Sequence, residues 1–370
     1  YFIPMKLTER KKMVLIHIAW ILALAVILWP LFTIAKYDYP SADDWSFGKY
    51  MYRAMQAGEG ITGVFHAIYQ TLAQNVWEAR FSILILSALQ PAAFGEHFYR
   101  ITPYLMIGSV ILSQFLLLRE CIAGQAKENR WLILPIGIPM AILQVLYCPY
   151  PEESFYWYNG SVNYTFVYSL SLVLLIPFFW KAVRKMSYEF HFPGLFTALT
   201  FGVYASQATA TIYVDGTMGG GRQGAILWYF YVLWMVANVL YWCGWIAKRD
   251  AIAAKAEKAD QLAGKYLLRY STAAGVLLAA AVLFGNVQST TSYRAYRMWK
   301  NGWAQAYGAG WEERLKVLKD DSVKNPVFTP LNYVELIMYT DLQPEGGYVW
   351  VNSACAEYYG KESVTVVEGE

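Results

Sequence analysis

Asp43 and Asp44 stand side by side in "DYPSADDWSFGKYMYRAM", residues 38–55, directly after an apolar run from Met13 to Ala35. Adjacent carboxylates repel, so one titrates high or a cation lies between them. Two chemistries suit such a pair. One carboxylate can take the proton of a hydroxyl nucleophile, provided it lies within hydrogen-bond reach. Alternatively, Asp43 and Asp44 can hold a hard divalent cation, Mg or Mn, which favours one or two carboxylates. A plainer role is also open. Aspartate is a favoured helix N-cap, and "DDWSFGKYMYRAM" reads as a helix start, but a cap needs one aspartate and not two.

Cations that could face such a pair are Lys49, Arg53, Arg80 and Arg222. A guanidinium binds phosphate oxygens bidentately, so Arg80 and Arg222 are candidate phosphate clamps, with Lys49 and Arg53 behind them. The plain alternative for Arg80 is a side chain snorkelling at a membrane interface. Arg222 follows "GTMGGG", where successive backbone N–H groups and a helix start could make an anion nest; a flexible turn is the bland reading. In "CPYPEESFYWYNGSVNYTF", Glu152, Glu153, Asn159 and Asn163 accompany aromatic faces such as Trp157. Carboxylates and amides beside aromatic rings suit sugar hydroxyls and apolar ring faces, whereas an interfacial aromatic belt explains most of the Tyr and Trp residues.

These residues need elements to hold them. Spanning helices need about 20 apolar residues, and candidates lie at 13–36, 102–118, 131–149, 164–180, 193–213, 224–247 and 266–286. The run 81–94 is short and interrupted by Pro91, which suits a short, re-entrant or interfacial segment. Lys and Arg gather before the first span, before the third, between two later spans and before the last; these segments are expected in the cytoplasm. Residues 37–101, 150–163, 214–223 and 287–370 are then expected outside. The expected organisation is a cytoplasmic N-terminus (1–12), a transmembrane helical domain (13–286) with an external loop (37–101), and a small mixed α/β region outside (287–370). In that last region "WEERLKVLKD" has helical spacing, whereas "YVWVN" and "SVTVV" have β-propensity. Tyr1–Pro4 read as an expression remnant, with Met5 as the natural start. The Met13–Ala35 run is too long for a signal-peptide core and reads as a retained helix.

Composition agrees with a membrane protein. The 370 residues are 57% hydrophobic and only 15% charged, with mean hydropathy +0.28, against about 25% charged in ordinary soluble domains. Net charge is +3, and no basic block with interleaved aromatics points to nucleic acid. Four scattered cysteines and four scattered histidines form no zinc, haem or disulfide pattern. His17, inside the first span, reads as a packing residue. Gln207, Thr209 and Thr211 are polar positions within a span that can bond across helices.

The order of parts, with "DDWSF", "EESFYWYNGSVNYTF" and "VWVNSACAEYYG", resembles the GT-C class of polytopic membrane glycosyltransferases and a related group of bacterial multi-pass proteins. The resemblance implies a predominantly α, GT-C-like bundle in a bacterial plasma membrane, with its active site facing outside. It implies transfer of a sugar from a polyprenyl-phosphate or polyprenyl-diphosphate carrier to a glycan, lipid or other acceptor. Carried over, Asp43 or Asp44 is the base or a metal ligand, and Arg80 and Arg222 contact the carrier phosphate. Two departures stand out: the second span is short and broken, and the external C-terminal region is too small for a large acceptor-binding domain. A transporter or flippase of lipid-linked saccharides, and a non-catalytic membrane scaffold, are the alternatives. The transporter requires broken helices or repeat symmetry.

Overall fold

The computed structural model describes residues 7–76, 80–120, 127–183, 191–217, 221–247, 285–331, 337–338, 342–344 and 349–367. The chain is predominantly helical. In order, the helices are α1 (Leu7–Ala35), α2 (Asp43–Gln56), α3 (Gly60–Gln74), α4 (Phe81–Ala88), α5 (Thr102–Leu118), α6 (Ile133–Leu146), α7 (Tyr158–Ser161), α8 (Val167–Val183), α9 (Pro193–Ser206), α10 (Thr209–Asp215), α11 (Gly221–Ala247), α12 (Thr291–Lys300), α13 (Trp303–Leu318) and α14 (Val349–Tyr359). Two short strands, β1 (Val327–Phe328) and β2 (Thr365–Val366), pair in parallel.

Among the described residues, two helical stretches, Met13–Ala35 and Glu96–Leu118, are long and apolar enough to cross a membrane. Only 17% of the first is buried, and Leu15, Leu22 and Val26 are exposed. A helix that apolar and that uncovered is no soluble core helix; it needs lipid or a partner around it. Of the other expected spans, 224–247 lies wholly within the continuous α11 and most of 164–180 within α8, while the rest are altered or fall outside the described residues. The 131–149 run yields the 14-residue α6, containing Pro139. The 193–213 run breaks at Gln207–Ala208 into α9 and α10. The 266–286 run lies outside the described residues. The 81–94 run forms α4, about 12 Å long, then a tight turn at Pro91–Phe94, because proline cannot continue the ladder.

The chain divides into two compact units, each assembled from separated segments. The first holds Tyr1–Trp29, Ser109–Pro149 and Tyr168–Thr291. Within it Trp20 packs with Ile138, Ile142 and Leu146, and His17 bonds the Trp131 carbonyl at 3.1 Å. Between α9 and α11, Phe196 stacks on Tyr241, and the Trp234 indole donates to Thr200 Oγ1 at 3.0 Å. Thr197 donates to Asn238 Oδ1 at 2.7 Å. Among the described residues, Thr197 and Thr200 on α9 and Asn238 on α11 join helices here, the two threonines a turn or more before the expected Gln207 to Thr211 set. Apolar surroundings favour such bonds because they leave few alternative partners.

The second unit holds Pro30–Gly108, Tyr150–Val167 and Ser292–Glu370. The C-terminal region is therefore no separate module. Helix α14 packs along α2: Tyr52 stacks on Tyr358 with ring centroids 4.3 Å apart, and Tyr358 donates to the Ala92 carbonyl at 3.1 Å. Lys319 pairs with the buried Glu96 at 2.7 Å. Trp45 and Trp311 lie buried in tilted contact, and Tyr39 stacks against Trp311. "WEERLKVLKD" falls largely in α13 and "SVTVV" contains β2, as expected. "YVWVN" does not form a strand: from Val349 onward it opens α14, since packing on α2 outweighs a β-propensity that amounts to about 1 kcal/mol.

Candidate functional site

The aspartate pair begins α2, but neither residue caps it. The N-cap is Ala42, at φ 49° and ψ −117°, without a side-chain cap. A Cβ-bearing residue rarely adopts that conformation, so its neighbours must hold it. Asp44, in the first helical turn, reaches back to accept the Ser41 N–H at 3.0 Å. The Ser41 carbonyl accepts the Trp157 indole N–H at 3.2 Å. The Ser41 peptide is thereby clamped on both sides, which fixes the turn.

Asp44 is fully buried, and its carboxylate is a hub. Oδ2 accepts the Ser41 N–H and the Tyr99 hydroxyl, the latter at 2.5 Å. Oδ1 accepts the Asn159 backbone N–H at 3.0 Å and the Asn159 side-chain amide at 2.6 Å. The Tyr99 hydroxyl itself accepts the Tyr158 N–H at 2.9 Å, so its proton points to Asp44. Gln90 donates to the Asp44 backbone carbonyl. Burial pushes the Asp44 carboxyl up to about 7, against the pull of its four donors. Asp38 is 1% exposed, and its Oδ2 has no hydrogen-bond partner. Burial, then the nearby Asp44 charge, holds Asp38 well above the ordinary range. Like charges in low dielectric cannot both form cheaply, so Asp38 keeps its proton where Asp44 is ionised.

Several residues singled out from sequence meet here. Arg80 donates to Asn163 Oδ1 at 2.7 Å, the Asn163 amide donates to the Asn159 carbonyl at 2.7 Å, and Asn159 holds Asp44. A hydrogen-bonded chain thus runs from an exposed guanidinium to a buried carboxylate through three separate stretches of sequence. Asp43, half-buried, starts the same helix.

Other expected roles change. Asp44, with both oxygens engaged twice, positions the loop and has no free lone pair for an acceptor proton. Asn159 and Trp157 are 2% and 4% exposed; they pin Asp44 and Ser41 and offer no surface to a sugar. Lys49 pairs with the Glu357 carboxylate at 2.5 Å, and Arg53 donates to the Glu357 backbone carbonyl. Both dock α14 onto α2 and do not point at a phosphate. Glu152 is pushed up by burial and drawn back by the Arg294 charge nearby, while its Oε2 lacks a partner. Glu153 is half-buried beside it. Arg222 opens α11 in the other unit, and the glycines before it lie partly outside the described residues.

Asp38, Tyr99, Glu96, Arg100 and Glu312 were not singled out. Glu312 accepts from Tyr39 and, at 3.0 Å, from Arg100; the Tyr39 hydroxyl first, then His97 and Arg100, hold its carboxyl below the usual range. The only local hint was Asp38, which opens the same acidic stretch.

The lone pairs of Asp44 are spent on four N–H and O–H donors, and no group of three His, Cys, Asp or Glu side chains gathers among the described residues. Comparison with protein-family models, curated proteins and solved structures gave no match.

Proposed function

We propose that the chain is a multi-pass membrane glycosyltransferase of GT-C type, moving a sugar from a polyprenyl-phosphate or polyprenyl-diphosphate carrier to an extracytoplasmic acceptor. The observation that carries this reading is the hydrogen-bonded chain Arg80–Asn163–Asn159–Asp44. It ties a guanidinium on an exposed position to the aspartate segment that follows an apolar, uncovered helix. Three of the four segments expected outside by charge distribution, 37–101, 150–163 and 287–370, supply nearly all of the second unit, which supports a shared side of the membrane for them.

In this mechanism an acceptor oxygen attacks the anomeric carbon. The bond from that carbon to the carrier phosphate breaks, and its electron pair leaves with the phosphate. Asp43 takes the acceptor proton. Arg80 stabilises the growing phosphate charge, and Asn163 holds the guanidinium ready. Asp44 fixes the loop that presents Asp43. The carrier's apolar chain lies along uncovered helices such as α1, which is why the chemistry belongs to a membrane protein.

The test is single-turnover transfer from a labelled polyprenyl-phosphate sugar by protein in nanodiscs. Asp43→Asn should lower the rate by about 10²- to 10⁴-fold, the range for removing a general base, and Arg80→Ala should lower it with little change in donor depletion by binding alone. Full activity in Asp43→Asn refutes the assignment. The break at Gln207–Ala208, added to that at 81–94, favours a second reading as a lipid-linked saccharide transporter; it predicts donor translocation without cleavage of the sugar–phosphate bond.

A further inference from the structure

Helix α3, in the second unit, is built inside out for a helix at a water-facing surface. Its buried side chains are small: Gly63, Ala67 and Thr71. They lie against α2. A Cβ on Gly63 would stand 3.3 Å from the Ala54 Cβ, Ala67 packs with Met51 and Ala54, and Thr71 Oγ1 lies 3.4 Å from the Phe47 carbonyl oxygen. Small residues let helices approach this closely. The large side chains face outward instead: Ile61, Phe65 and Tyr69 are 73%, 68% and 68% exposed. Each stands two positions before one of the small residues, and two positions turn a helix by about 200°. The apolar stripe is therefore on the side opposite α2.

None of the 15 residues of α3 is Asp, Glu, Lys or Arg. Val64 and Ile68 flank the contact with α2, so the helix is apolar on both sides, and such a helix is covered all round by protein or lipid. Its ends differ. Gln56 and Glu59 stand exposed before it, and Arg80 stands exposed after it. The helix is about 22 Å long, short of the roughly 30 Å hydrocarbon core, and polar at both ends. It can lie along a membrane surface and cannot cross one. The same unit holds the start of the Glu96–Leu118 span, where Phe98, Ile101 and Leu105 are exposed, so the bilayer around that span also reaches this unit. Helix α4 packs on α3 and leads to the span, with Phe81 and Phe94 exposed on the way.

We propose that α3 is an in-plane membrane helix and that the partner of its Ile61–Phe65–Tyr69 stripe is the lipid bilayer, at the boundary of headgroups and acyl chains. The stripe sits about 5–10 Å into that boundary. Ile61 and Phe65 enter the acyl edge, and Tyr69 keeps its hydroxyl among the headgroups. Helix α2 then rides on the water side, one interhelical spacing of about 8–10 Å above α3. That holds the Asp43–Asp44 turn at a fixed height over the lipid surface. The inference does not rest on the transferase reading.

The experiment is depth-resolved fluorescence quenching on the full chain in nanodiscs of phosphatidylcholine and phosphatidylglycerol, one chain per disc. A fluorescent amino acid takes the place of Phe65 or, on the far side of α3, of the exposed Gln74. The quenchers are lipid with a nitroxide just below the headgroup, lipid with a nitroxide at the chain end, and aqueous iodide. The fluorophore at 65 should be quenched by the shallow nitroxide, weakly by the deep one and not by iodide; the fluorophore at 74 should be quenched by iodide alone. Phe65→Glu combined with Tyr69→Glu, read from a fluorophore in place of Ile61, should lose the shallow quenching and gain iodide quenching, since these exposed side chains lie outside the core. Iodide quenching at 65 as strong as at 74 overturns the proposal. Protection of 65 from all three quenchers reveals a protein partner and overturns it too. Quenching mainly by the deep nitroxide overturns the in-plane placement, and shallow quenching that survives both substitutions overturns the role of the stripe.

Discussion

Burial and hydrogen bonding pull the Asp44 carboxyl in opposite directions, and acidity decides between them. Its value rises from 3.8 to about 7 because burial outweighs four donors. The folded state therefore binds a proton more tightly than the unfolded chain. Stability from this group is fully present below the unfolded value and is lost as pH climbs through about 7. The full difference is about 4 kcal/mol, of which more than half falls between pH 5 and pH 8. Asp44→Asn has no such titration, so the wild type should lose that amount relative to the variant across this interval. Thermal unfolding in nanodiscs, followed by tryptophan fluorescence at four pH values, reads this as a melting-temperature difference that moves by about 3 °C. The Asp44 charge acts on Asp38, so the slope from Asp38 differs between the two proteins; making the comparison in an Asp38→Asn background removes that contribution. Parallel curves, or a wild type that gains on the variant as pH rises, would show that the four donors prevail over burial and would refute the reasoning.

Ala42→Gly should stabilise the protein by about 1 kcal/mol in the same unfolding assay, because relief of a strained positive φ, worth ~1–3 kcal/mol, exceeds the entropy of one glycine; a loss of stability would mean that the turn carries no strain. Tyr358→Ala should cost about 3–5 kcal/mol and expose α14 to limited proteolysis, whereas Tyr358→Phe, which removes only the bond to the Ala92 carbonyl, should cost about 1 kcal/mol. Equal effects of the two substitutions would count against ring stacking on Tyr52 as the main contribution.

Hydropathy made α1 legible, and the aspartate segment was legible as a helix start. Its cap was misread, because the choice of Ala42 as N-cap depends on Trp157 and Asn159 holding the turn from more than a hundred residues away. Asn159 and Asn163 were read as sugar contacts, but residue type does not reveal the direction of a side chain. They point inward to protein partners. Lys49 and Arg53 are ordinary interfacial cations by local pattern, and only the distant Glu357 explains them. Span lengths were overread where hydropathy continues through a break, as at Gln207, since an apolar average does not register one turn of lost helix. Tyr99 and Glu312 carry no local signal, because their roles arise from tertiary pairing alone.

The pairing of Lys49 with Glu357 joins residues 308 positions apart, and its consequence is temporal. During synthesis the early helices leave the ribosome long before α14 exists. Until then the face of α2 that α14 covers stays bare, with Tyr52 and the two cations unengaged. Loop closure over such distances is slow, so the interval exposes a sticky surface to chaperones and proteases. Completion of the last helix closes that surface, so a prematurely terminated chain keeps it open.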